Sequence, residues 1–218
     1  QMVLTLVEPQ SSGIGGGAFL MHFDGRNLEA FDGRETAPAA VDERLFMGAD
    51  GKPRVDEERR FAVATQPEGC VADDARGRLY VGEEGRGIWR FDLAATASPG
   101  VLIAGAPSAM LVPDVEGLAL LNEGAETWLI ASSQGDSAFA VWRVDGAEPV
   151  YRGRFSVMAS GGVDAVTGTD GVSAQGGAVG AFPAGLVVMQ DDVDEGSSGA
   201  RQNFKLVDWR EVRRALGL

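Results

Sequence analysis

This sequence is poor in cysteine, histidine, aromatic residues and positive charge, and each shortage excludes something. A single cysteine, Cys70, rules out an internal disulfide and every metal site built on several thiolates. It sits in an apolar run and reads as a small buried hydrophobe. The one histidine, His22, excludes histidine-rich metal chemistry and reads as a half-exposed residue of an alternating strand. Lysine and arginine number 19 against 32 acidic residues, a formal charge of −13. That balance opposes nucleic-acid binding, which needs a basic footprint. Two readings of the acidity stay open: plain solubility, or carboxylates gathered to hold a hard cation such as calcium. No apolar run approaches the roughly 18 residues that span a bilayer, so no membrane partner is expected. The first residue is Gln1 rather than Met, which suggests a processed or truncated chain in which no signal peptide is present.

Glycine and alternation are plentiful. Among 218 residues there are 31 glycines and 44% hydrophobic residues, the profile of a turn-rich globular chain with one sizeable core. From about Arg60 onward the chain repeats itself. Three acid–glycine pairs, Glu68-Gly69, Glu116-Gly117 and Asp170-Gly171, each open a strand-like segment, and they are spaced by 48 and 54 residues. An apolar strand follows each pair (LYVGEE at 79–84, WLIASSQ at 128–134, LVVMQDD at 186–192), then a third strand (IWRFDL, FAVWRV, NFKLVDW). The first two copies add a fourth, VLIAG and VYRGRFSV. Units of three or four antiparallel strands at this period predict propeller blades, with an ordinary β-sandwich as the competing architecture. The fold class is therefore all-β: a partial β-propeller of about three four-stranded blades. WREVRRALGL predicts a short closing helix, capped by Asp208 and ended by Gly217, with Arg213 and Arg214 near its C-terminus.

The repeat also predicts where charge collects. Innermost strands line a propeller channel, so Glu68, Glu116 and Asp170 should approach one region. Asp114 and Glu116, two residues apart, should share a strand face. Like charges gathered this way call for a counter-ion, and donors that are all oxygen favour calcium over transition metals.

The stretches PEGCVADD, DVEGLALL, LIASSQGDSAFAVWRV, VDAVTGTDGV, VVMQDD and RQNFKLVDW resemble the C-terminal half of β-propeller phytases, over about residues 59–218. The resemblance implies a six-bladed fold, calcium as cofactor and hydrolysis of inositol phosphates such as phytate. It implies calcium and active-site roles for Glu68, Glu84, Asp114, Glu116, Gln134, Asp164, Asp170 and Asp191. Glu68, Glu116 and Asp164 are the catalytic candidates, and Gln134 and Arg201 the substrate-binding ones. All the carboxylates in this group are metal-ligand candidates. Lys205 reads as ordinary surface charge. The family's N-terminal half, with its basic phosphate-gripping groups, has no counterpart here. An open sheet face is therefore expected, to be met by a homodimer or by the missing propeller half. Secretion or a periplasmic location follows from the same resemblance.

Residues 1–53 are different. MVLTLVEPQSSGIGGGAFLMHFDG and DGRETAPAA resemble the N-terminal part of gamma-glutamyltransferases, which would make Arg34 a substrate-carboxylate contact. The threonine nucleophile of that family belongs to a later, absent segment, so γ-glutamyl transfer lacks its chemistry. GIGGGAF lacks the GK[ST] ending of a phosphate loop and reads as a glycine turn before a hairpin of AFLMHF and LEAFDG. Residues 54–59, with the run Asp56-Glu57-Glu58, read as a charged, solvated linker. Three functions follow in order: a calcium-dependent phytase-like hydrolase weakened by truncation, a non-catalytic calcium-binding fragment, and a γ-glutamyl-binding or transferase fragment.

Overall fold

The computed structural model describes residues 2–7, 18–23, 27–32, 39–47, 49–95, 99–194 and 201–218. The described residues are all-β apart from short helical segments, and their strands follow one another as antiparallel neighbours in four sheets. The first sheet is five-stranded: β1 (Met2–Val7), β2 (Ala18–Phe23), β3 (Asn27–Asp32), β4 (Ala39–Met47) and β5 (Pro53–Ala62). The predicted hairpin is present as β2 and β3, but within this wider sheet. Residues 54–59 are not a linker. They lie inside β5, whose backbone pairs with β4 in a register that sets Asp42 opposite Arg59 and Arg44 opposite Asp56. A charged run continues a strand wherever a neighbouring strand supplies backbone partners.

The repeat unfolds into blades as the alternation predicts. The first blade is β6 (Pro67–Asp73), β7 (Arg78–Glu83), β8 (Gly87–Asp92) and β9 (Val101–Gly105). The second is β10 (Val115–Glu123), β11 (Glu126–Ser133), β12 (Ala138–Arg143) and β13 (Val150–Phe155). The third has three strands, β14 (Val172–Gly176), β15 (Gly185–Asp191) and β16 (Asn203–Asp208). Helix α1 (Trp209–Leu216) ends the chain. Asp208 caps it by accepting from Arg210 N, and Gly217 closes it in the left-handed conformation.

The blades stack face to face, and the stacking is written in the period-2 pattern. Leu118, Leu129, Ala131, Ala140 and Trp142 of the second blade meet Tyr80, Ile88 and Ala104 of the first. Its opposite face, Leu121, Ile130, Phe139 and Val141, meets Val187 and Met189 of the third, with Trp209 and Val212 of α1. A blade covered on both sides needs apolar residues at odd and even positions alike, which is why β11 is almost continuously apolar. Cys70 is buried as expected, in a third cluster with Leu79, Val81, Phe91 and Phe61 of β5. Arginines on the middle strands of the first blade tie it to the segment after β12: Arg78 donates to the carbonyls of Val144 and Gly146, and Arg90 to that of Ala147.

The glycines of the first two acid–glycine pairs have a steric reason. A Cβ on Gly69 would lie 2.5 Å from the Glu116 carbonyl oxygen, and one on Gly117 would lie 2.5 Å from that of Asp170. Each glycine lets the next inner strand come this close, and Gly117 N donates to the Asp170 carbonyl at 2.7 Å. Gly171 meets nothing within 4 Å among the described residues. Gly117→Ala should therefore destabilise the fold by about 1–3 kcal/mol, the usual cost of forcing an extra methyl into packed structure. Gly171→Ala should stay within about 0.5 kcal/mol. Urea unfolding of both variants checks this, and equal effects would show that the pairs are not stacked as described.

Candidate metal centre

Blade stacking brings the predicted carboxylates together. Glu68 lies on β6, Glu84 directly follows β7, and Glu116 is the second residue of β10. Backbone bonds fix these positions: Glu84 N donates to the Gln66 carbonyl at 2.9 Å, and Val115 N to that of Glu84 at 3.0 Å. One oxygen from each of Glu68, Glu84 and Glu116 lies within 4.8 Å of the others. Asp114 sits one residue before β10, and the register shift between Val115 and Leu118 takes in Glu116 and Gly117.

Asp170 completes the charged group, held by its backbone N donating to Gln190 Oε1 at 2.8 Å and by its side chain accepting from Gln134 Nε2. Glu68 likewise accepts from Gln66 Nε2.

The electrostatics show what this crowding does. Glu116 is 7% exposed. Burial first, and then the charges of Glu68, Asp170, Glu84 and Asp114, push its carboxyl up to about 9. Burial also raises Glu68, with Asp170 and Asp114 adding to the effect and the Gln66 hydrogen bond opposing it. Glu84 is raised by burial, then by Asp114 and Glu68, and Asp170 by burial and Asp192. Carboxylates whose ionisation is opposed first by burial and then by one another's charge are suited to a cation, and an all-oxygen donor set fits a hard one.

Two of the predicted ligands are engaged elsewhere. Asp164 and Asp191 flank Lys205, whose Nζ lies 2.7 Å from Asp164 Oδ1 and 2.6 Å from Asp191 Oδ2. It also donates to Asn203 Oδ1 at 2.7 Å. Asp191 Oδ1 accepts from Thr167 N at 2.9 Å and from Thr167 Oγ1 at 3.2 Å. Lys205 is 8% exposed and so is not surface charge. Burial works against its ammonium, but the bonds to Asp164 and Asp191 outweigh it and raise the Lys205 pKa. The strand pattern misleads here because β16 turns Phe204 and Leu206 outward and Lys205 inward.

Of the proposed substrate contacts, Gln134 stands at the cluster through Asp170, Arg201 is exposed, and Arg34 lies outside the described residues. The sequence reading missed Gln66, Gln190 and Glu83. Glu83 is fully buried and accepts from Ala64 N, Thr65 N, Thr65 Oγ1 and Trp89 Nε1. Its place at the end of β7 matches that of Asp191 at the end of β15, and both bind a threonine of the preceding loop. That equivalence is readable from the repeat once the strands are aligned. A cavity of about 590 Å³ between the inner strands, lined by Asp73, Arg76, Asn122 and Thr127 among others, contains none of the acidic cluster. Its polar groups largely satisfy one another, Arg76 bonding Asp73 and Thr127, and Thr127 bonding Asn122.

Comparison with known proteins agrees with this geometry. The family model described as Phytase matches residues 41–218, and that described as Gamma-glutamyltranspeptidase matches residues 1–72. The 3-phytase of Bacillus subtilis (strain 168) is 33% identical over 178 residues, which cover 79% of this chain and 46% of that protein. The Glutathione hydrolase proenzyme of the same organism is 43% identical over 54 residues, 24% of this chain and 9% of its own length. Scoloptoxin SSD14 of Scolopendra dehaani is 37% identical over 81 residues, 36% of this chain and 14% of its own. The chain thus spans about half the length of the 3-phytase it matches. The phytase match runs through β4 to α1 and takes in every carboxylate of the cluster, and this chain belongs to the phytase family.

Proposed function

We propose that the chain carries the calcium-binding side of a phytase-type site, hydrolysing phosphate monoesters of inositol phosphates. The observation that supports it best is the convergence of Glu68, Glu84 and Glu116 within 4.8 Å, inside a chain of the phytase family. Glu68, Glu84 and Glu116 would hold calcium, with Asp114 and Asp170 adding charge from the rim. Bound calcium would polarise a phosphoryl oxygen and lower the pKa of a coordinated water. A polyphosphate and this acidic protein repel one another, so the five carboxylates must be neutralised before substrate can approach.

Gln134 fixes Asp170, and the bond from Gln66 fixes Glu68, which keeps both carboxylates from rotating away. Asp164 and Asp191 act at one remove: through Lys205 and Thr167 they hold the loop that carries Asp170 against β15 and β16. By the same family argument the protein works outside the cytoplasm, secreted or periplasmic. Among the described residues no helix is long and apolar enough to cross a membrane.

Phosphate release from phytate, with calcium and with chelator, tests the proposal. The expected result is calcium-dependent turnover far below that of the Bacillus subtilis 3-phytase, because each missing charge-stabilising donor costs about 10²–10³-fold. Turnover unchanged by chelator or by Glu116→Gln would overturn it. The second reading, calcium binding without catalysis, is favoured by one observation. Lys205 is consumed by Asp164 and Asp191, so it offers no phosphate contact. Calcium binding with no phosphate release at all would select that reading.

A further inference from the structure

Each blade ends its second strand on a buried polar residue. Glu83 is the last residue of β7, Ser133 of β11 and Asp191 of β15, and all three are fully buried. Packing alone would favour an apolar side chain there, because a buried polar group is unfavourable unless its hydrogen bonds are met. The three side chains differ in length and chemistry. Each nonetheless accepts from a backbone N–H of the segment that leads into the innermost strand of its own blade. Glu83 Oε1 accepts from Ala64 N at 3.0 Å and from Thr65 N at 2.5 Å. Ser133 Oγ accepts from Val112 N at 2.8 Å, and Asp191 Oδ1 from Thr167 N at 2.9 Å.

The residue after each of them completes a clamp. Glu84 N donates to the Gln66 carbonyl at 2.9 Å, Gln134 N to that of Asp114 at 2.9 Å, and Asp192 N to that of Thr167 at 3.0 Å. Each segment is therefore gripped through both a donor and an acceptor, although residues 64–66, 112–114 and 167 lie outside every strand. What each clamp holds leads into the acidic centre: Glu68 just beyond Gln66, Asp114 and Glu116 at the second clamp, and Asp170 just beyond Thr167.

We propose that Glu83 and Ser133 are positioning residues of the acidic centre, each fixing its carboxylates through the backbone segment that carries them, as Asp191 does for Asp170. Glu83 fixes residues 64–66, and with them Glu68 and the Gln66 side chain bonded to it. Ser133 fixes residues 112–114, and with them Asp114, Glu116 and the neighbouring Gln134 that bonds Asp170. Groups one step removed from a metal ligand set its orientation, and losing one typically weakens metal binding about 10–100-fold. The consequence for calcium rests on the phytase-type function, whereas the clamp rests on the hydrogen bonds alone.

The test uses the full chain and three variants, with calcium affinity measured by titration calorimetry and amide exchange by NMR. Glu83→Met, which cannot accept these bonds, and Ser133→Ala should each weaken calcium binding about 10–100-fold. Glu83→Gln keeps an oxygen for Ala64 N and Thr65 N, and its affinity should stay within about threefold of wild type, far less than the loss of a full positioning contact. In metal-free protein, exchange should quicken at the Glu84 amide in Glu83→Met and at the Gln134 amide in Ser133→Ala, with the core amides of Leu129 and Ile130 unchanged. Affinity unaltered in both Glu83→Met and Ser133→Ala overturns the proposal. So does exchange that quickens equally at the core amides, or a Glu83→Gln protein as weak as Glu83→Met. If Glu83→Met does not fold, Ser133→Ala, the smaller excision, decides by the same two measurements. If wild-type protein binds no calcium, the phytase-type function falls separately and the exchange data decide: quickening confined to the Glu84 and Gln134 amides supports the clamps, and its absence rejects them.

Discussion

Adding calcium to chelator-treated protein should raise its melting temperature by about 5–10 °C, and Glu116→Gln should remove most of that rise. Ligand at about a hundred times its dissociation constant stabilises the native state by roughly 2.7 kcal/mol. For a chain of this size each kcal/mol moves the midpoint by about 2–4 °C.

The dependence on pH has a definite sign. Glu116 has a carboxyl pushed from 4.5 to about 9 in the metal-free fold, so the fold prefers its neutral form. That preference contributes fully below the unfolded value near 4.5 and is lost progressively as pH rises towards about 9. Glu68, Glu84 and Asp170 are shifted in the same direction. Metal-free protein should therefore melt earlier as pH rises through that window. The calcium increment should grow over the same window, because the ion takes the place of the protons. Scanning calorimetry at several pH values, with chelator and with calcium, measures both trends. A metal-free melting temperature that rises with pH across the window would reject the crowded-carboxylate account, as would an unaltered calcium response in Glu116→Gln.

Lys205→Met should cost about 3–5 kcal/mol of stability, the expected penalty for removing one partner of a buried ion pair. Asp164 and Asp191 would be left facing each other with no cation between them. The loop of residues 164–170 hangs from this arrangement, since Asp191 also binds Thr167 and Asp170 binds Gln190. Calcium affinity should fall along with stability for that reason. Adding Asp191→Asn to Lys205→Met should recover part of the lost stability, since one uncompensated charge goes. Urea unfolding of the two single variants and the double variant gives the coupling energy. A Lys205→Met protein as stable as wild type would mean that the ammonium lies at the surface after all.

The blades were legible because the evidence for them is local. Apolar alternation, glycine turns and acid–glycine pairs lie within a few residues of one another, and the observed strands from β6 to β16 fall on the segments they mark. Asp208 and Gly217 were readable as helix caps for the same reason. The wide N-terminal sheet was not. A charged strand such as β5 shows no apolar period, and only its pairing with β4 defines it. The acidic centre was half legible. Glu68 and Glu116 follow from the repeat and Glu84 from family resemblance, but the diversion of Asp164 and Asp191 to Lys205 did not, because it joins residues from β15, β16 and a loop.

The sequence by itself determined the blade repeat, the short third blade and the oxygen-only donor set, because each depends on residue type and short-range spacing. The tertiary structure alone decided which carboxylates lie together, which way β16 faces, and that among the described residues Gly171 faces open space and Gln190 Nε2 has no hydrogen-bond partner. Those outcomes depend on how one sheet stacks on the next. A shift of one residue in strand register exchanges the inward and outward sets of side chains, and no short-range pattern fixes that choice when both faces carry apolar residues.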